Sequence, residues 1–164
     1  MRRLIGGIAF GLLAAAALPS DTAKAEEDAA TWLVTTAVKR FVDGDTFVTE
    51  DGVRVRVWGI AAPELGTPLG DAVRDAMNEV LALWKEEFGD LALACRIAGV
   101  SYGRIVAQCS YRHGGTDGLV DLGAVIVGLG LARDCPAYSG GVYARFEKPE
   151  AVRSMELPPY CVEE

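Results

Sequence analysis

With 164 residues the chain is long enough for one domain with a real core and too short for two. Sixteen Lys and Arg stand against 23 Asp and Glu, a formal net charge of −7, and a field of that sign excludes tight long-range binding of polyanions. A single histidine, His113, and the lack of any Cys-x-x-Cys pair argue against a zinc site.

Residues 1–25 read as a secretory signal peptide. Arg2 and Arg3 begin it, an apolar run of small residues follows from Leu4 to Leu18, and Ala23-Lys24-Ala25 fits a small-x-small cleavage site. The run is shorter than the ~20 residues that span a bilayer. Cleavage would remove three basic residues and one acidic, leaving 13 against 22 and a net charge of −9. The expected product is a periplasmic or secreted monomer with no stable membrane association. Residues 26–33 read as a flexible leader and 34–164 as the folded domain.

The elements then follow in order. Residues 32–42, rich in Val, Thr and aromatics, predict a strand. Asp43-Gly44-Asp45 is turn chemistry, and residues 46–49 form a second strand. Glu50-Asp51-Gly52 is a hairpin turn, because Asp-Gly suits positive φ angles. Residues 53–58 alternate apolar and charged side chains and give a third strand. Residues 61–69 read as loop, with Pro63 and Pro68 excluding regular pairing. From Gly70 the period becomes helical, with Val73, Met77, Val80, Leu81, Trp84 and Phe88 along one face. Residues 91–97 and 104–109 predict two more strands joined across Gly99–Gly103. A flexible loop at 113–118, with a solvated His113, precedes a short helix at 122–129 that Gly130 ends. Residues 143–155 predict a third helix interrupted by Pro149. The class is α+β, mainly β with about three helices.

Cys95, Cys109, Cys135 and Cys161 allow three pairings in an oxidising compartment. Cys95 and Cys109 flank a turn-bearing segment, so a bridge across one hairpin is economical. Cys135 would then pair with Cys161 and tether the C-terminal tail.

Four motifs stand in register: Asp43-Gly44-Asp45-Thr46; Arg56 followed by Ala62-Pro63-Glu64; Tyr102-Gly103-Arg104; and Gly128-Leu129-Gly130-Leu131-Ala132. Together they resemble the thermonuclease (staphylococcal nuclease-like) family, over about residues 34–146. The resemblance implies a five-stranded OB-fold barrel with three helices, and small OB barrels commonly bind oligonucleotides. It implies an endonuclease that hydrolyses DNA or RNA phosphodiester bonds with calcium assistance, here weakly active on weakly bound nucleic acid. Glu64 would orient or deprotonate water. Arg56 and Arg104 would clamp the phosphate, since a guanidinium fork pairs bidentately with phosphate oxygens. Calcium would sit on Asp45 and the Ala62 backbone carbonyl with Asp43 nearby, and Tyr102 would lie beside a terminal substrate phosphate.

Two departures from the pattern bear on the chemistry. Where the family carries an aspartate that binds calcium directly, this chain has Ala61. Calcium gains affinity from ligand charge, so the implied metal is held weakly or lost. Val100 likewise replaces an aspartate often found four residues before the second arginine. The plainer readings are Arg56 as an outward strand residue beside Arg54, Glu64 as a solvated loop acid, Asp45 as a turn stabiliser and Arg104 as a hairpin cation. The alternative to an enzyme is an OB-fold binding module, a pseudonuclease. A third reading is an accessory protein whose acidic surface meets a cationic partner.

Overall fold

The computed structural model describes residues 32–34, 37–112 and 118–162. The chain divides into two units, Met1–Ala30 and Thr31–Glu164. The first, with the expected signal peptide and most of the leader, lies outside the described residues, as does His113. Everything below concerns the second.

Among the described residues nine strands, four α-helices and two 3-10 turns follow one another. The strands are β1 (Trp32–Val34), β2 (Val38–Phe41), β3 (Thr46–Thr49), β4 (Arg54–Val57), β5 (Ile60–Ala61), β6 (Ala94–Ser101), β7 (Arg104–Arg112), β8 (Leu119–Asp121) and β9 (Arg133–Asp134). The helices are α1 (Pro68–Phe88), α2 (Leu122–Gly128), α3 (Pro136–Ser139) and α4 (Pro149–Ser154). The main sheet runs β1-β6-β7-β4-β3-β2, with β8 added to β7, and β5 and β9 form a separate ribbon. Every pairing is antiparallel except β4 with β7.

The fold class is α+β, as the residue pattern predicts. Among the described residues its strand pairing is that of an open sheet, with no ladder closing β1 onto β2. The sheet must nevertheless curl. Five interstrand spacings of ~4.8 Å would hold flat edges about 24 Å apart, while the four residue steps from Val34 to Val38 span at most ~14 Å. Val38 also donates its N–H to Leu91 O at 3.0 Å, just ahead of β6.

Alternation explains why β4 delivers a cation. Val55 and Val57 point into the core and are 0 and 1 % exposed, so Arg54 and Arg56 face the other way. Phe41 and Phe47 meet edge to face in that core with centroids 5.9 Å apart. Helix α1 buries Val73, Met77 and Leu81 from its predicted stripe, while Phe88 at its end is exposed. Its start is set by Thr67, whose hydroxyl accepts from Gly70 N at 3.0 Å, and by Pro68 at the first helical position. Asn78 fastens the helix to the sheet. Its amide oxygen accepts from Phe41 N at 3.0 Å and its amide nitrogen donates to Phe41 O at 3.1 Å.

Several elements depart from expectation. The strand predicted over 32–42 is two strands with different partners, β6 and β3. Gly99 is not a turn: β6 continues through a register shift to Ser101, and Tyr102-Gly103 makes the hairpin. The loop predicted from residue 61 begins with the β5 ladder to β9, and helix α1 starts two residues before Gly70. Strand β8 and helix α3 were not anticipated. The third predicted helix is a 3-10 turn, Ala144–Phe146, followed by α4 with Pro149 at its first position rather than in its middle.

Candidate functional site

One cleft of about 440 Å³ gathers Asp43, Asp45, Arg56, Ala62, Glu64, Tyr102 and Arg104 on its walls. Three elements meet there: the turn before β3, the end of β4 with the loop after it, and the β6–β7 hairpin. Thr46 lies directly opposite Arg56 across β3–β4, and Arg56 lies beside Val106 across β4–β7. That register brings Arg104, two residues before Val106, to the same mouth. Its Nη1 donates to Thr46 Oγ1 at 3.4 Å and its Nε to Ser101 O at 3.5 Å. These bonds are long, so the guanidinium keeps most of its donor capacity.

Arg56 is engaged differently. It forms an ion pair with Asp45, whose side chain is 7 % exposed against 17 % for the arginine. Its Nη2 also donates to Ile60 O at 3.2 Å. Burial works against the charge on Arg56, but the Asp45 carboxylate outweighs it and the guanidinium is held more firmly protonated than usual. Asp45 has little left to offer. Oδ1 accepts from Thr46 Oγ1 at 3.1 Å, and Oδ2 accepts from Ala62 N at 3.1 Å. Asp43 Oδ1 accepts from Asp45 N at 3.0 Å. Burial first, and then the charge of Asp45, push the Asp43 carboxyl up to about 6.

Two glycines make this geometry possible. A Cβ on Gly44 would lie 2.5 Å from both Ala62 Cβ and Val73 Cγ1, so only glycine lets the acidic turn sit against the loop and α1. A Cβ on Gly70 would lie 2.0 Å from Glu64 O, which also accepts from Thr67 Oγ1 at 2.7 Å. The glutamate's backbone is therefore fixed by the first turn of α1 while its side chain is exposed at the cleft. Across the mouth, Tyr102 adopts φ 49° and Gly103 φ 73°, the left-handed pair of a two-residue hairpin turn. Tyr102 is 95 % exposed.

The donor set does not fit calcium. That ion takes ~6–8 oxygens with carboxylates prominent among them. Both oxygens of Asp45 are committed, one of them toward a guanidinium, and Asp43 is half-occupied by a backbone N–H. Among the described residues no group of three acidic, histidine or cysteine side chains is placed to share an ion. Ala61 is 4 % exposed, pairs with Arg133 across β5–β9, and packs with Cys135, Cys161 and Leu157. Position 61 belongs to a packed interface.

Both disulfides pair as expected, Cys95 with Cys109 directly across the hairpin and Cys135 with Cys161. They suit an oxidising compartment. No described helix is long and apolar enough to cross a membrane. Tyr138 and Tyr160, which belong to none of the four motifs, also line the cleft. Tyr160 lies next to Cys161, and that adjacency was the available signal. No protein-family model matches the chain, and no curated protein matches it.

Proposed function

We propose that the chain is a thermonuclease-like protein whose cleft grips a phosphodiester of single-stranded nucleic acid and presents Glu64 for its hydrolysis. The observation that carries this reading is the convergence of Arg56, Arg104, Glu64 and Tyr102, from two separate motifs, on one cleft. A five-stranded OB-type barrel is the matching architecture: β1 and β2 count as halves of one strand, and β3, β4, β6 and β7 supply the others. The curl forced by the short link between β1 and β2 supports it.

Arg104, with donors to spare, takes the phosphate oxygens, and Arg56 adds positive charge behind them. Water attacks phosphorus and its proton passes to Glu64. The bond from phosphorus to the leaving ester oxygen breaks, and solvent protonates that oxygen. The arginines stabilise the charge that gathers on the phosphoryl oxygens. The net charge of −7 keeps the affinity for long polyanions low.

A second reading, binding without turnover, is favoured by the pairing of Asp45 with Arg56, which neutralises one of the two cations. A nuclease assay on short single-stranded DNA and RNA separates the two. Turnover that disappears in Glu64→Gln supports the enzyme. Oligonucleotide binding without turnover supports the module, and neither would reject the phosphodiester reading.

A further inference from the structure

The Pro159–Cys161 turn lines the cleft through Tyr160. Cys135 and Cys161 are 2 and 0 % exposed, and their bridge seats the tail against Ala61 and Leu157. Tyr160 stands one residue before Cys161, and Tyr138 three residues after Cys135. Their rings meet edge to face, with centroids 6.4 Å apart and planes at 68°. Both rings thus hang from one disulfide. Helix α3 holds the Tyr138 side, with Tyr138 N and Ser139 N each donating to Cys135 O at 3.0 Å. A 3-10 turn, Pro159–Cys161, holds the Tyr160 side.

The two tyrosines are too open to be core residues, at 58 and 43 % exposed, and both line the cleft that contains Arg56 and Arg104. The Tyr160 hydroxyl is shifted up by burial, while the charge of Arg56 pulls the other way. An aromatic surface beside cations suits a ligand that carries a flat ring and an anionic group together.

We infer that the disulfide-locked tail is a wall of the ligand site, and that Tyr138 and Tyr160 hold the base of a nucleotide whose phosphate meets the arginines. This rests on the phosphate reading above. It also accounts for Ala61. A carboxylate there would be buried against the bridge that carries the aromatic wall, so position 61 serves the tail instead of a metal.

Calorimetric titration of the oxidised protein with adenosine 5′-monophosphate and with ribose 5-phosphate isolates the contribution of the base. Wild type is expected to bind the nucleotide about tenfold tighter than the sugar phosphate, the size of one base–aromatic stacking contact. Tyr160→Ala should bring the nucleotide down to the affinity of the sugar phosphate, and Tyr160→Phe should keep the margin. Opening the bridge in a Cys135→Ser, Cys161→Ser double variant should remove the margin as well. Equal affinity of wild type for both ligands would overturn the base subsite and leave the phosphate site standing. Failure of wild type to bind either would overturn both.

Discussion

Arg56 and Asp45 form a largely buried ion pair at the floor of the cleft, and every oxygen of the carboxylate is engaged by Arg56, Thr46 or the Ala62 backbone. One residue therefore fixes the arginine, the strand start and the loop that leads to Glu64. The same pair limits what the site can do, since its carboxylate is no longer free for a cation and its guanidinium is partly spent.

Asp45→Asn leaves Arg56 without its counter-charge. Breaking a buried pair from one side costs about 3 kcal/mol, so the urea midpoint should fall clearly. Phosphate affinity should move the opposite way, because the freed guanidinium can turn to the ligand. A variant that loses stability and also loses phosphate affinity would show that the pair, rather than free Arg56, makes the site.

Ala61→Asp is the change that would restore a missing calcium ligand if position 61 were simply vacant. The structure places that side chain among Cys135, Cys161 and Leu157. Its cross-strand neighbour Arg133 is already held by Glu147 and Met155 O, so burying a carboxylate there should cost at least ~2 kcal/mol. Thermal unfolding should show the loss, and added calcium should not recover it. Recovery of stability by calcium would show that the acidic turn can still assemble a metal site.

Strand β4 and helix α1 were legible from alternation and period, because each buries one face, whereas β3 is buried at all four positions and was legible from the turns that bound it. The hairpin disulfide was legible because Cys95 and Cys109 flank its turn. Other parts had no periodic trace. A two-residue ladder such as β5 with β9 is too short to show alternation, and the break between β1 and β2 is set by two different partners rather than by residue type. Arg56, Glu64 and Arg104 do converge. The meaning of Ala61 did not show, because its neighbours arrive from a tail about a hundred residues away, and Tyr160 was hidden for the same reason.

Asp43 predicts a particular pH dependence. Its carboxyl has an ordinary value of 3.8 and is pushed up to about 6 in the fold, so the folded chain binds that proton more tightly than the unfolded one. Its contribution therefore favours folding at acid pH and declines as pH rises from about 4 to about 6. Above that window the folded state carries the full cost of the buried charge. Asp43→Asn keeps an acceptor for Asp45 N and should flatten the stability profile between pH 4 and 6, with a net gain at pH 7. Denaturant titrations at several pH values read this directly; an unchanged profile would contradict it.

Tyr102 occupies a backbone region that suits glycine or asparagine, at a cost of about 1 kcal/mol to other L residues. At 95 % exposed it has little packing to repay that. Tyr102→Asn should therefore raise stability by about 1 kcal/mol and weaken phosphate-ligand binding, the pattern of a residue kept for function at some loss of stability. Equal ligand affinity in the two proteins would reduce Tyr102 to an ordinary turn residue.

In the proposed function the cleft holds a phosphodiester through arginines and needs no calcium to do so. Calorimetric titration with a short single-stranded oligonucleotide, once in EDTA and once in calcium, tests it on wild type and Arg104→Ala. Saturable binding of equal strength is expected in both buffers, reduced about tenfold or more in the variant, as loss of charged hydrogen bonds to phosphate implies. Binding that appears only with calcium, or that is indifferent to Arg104, would contradict it.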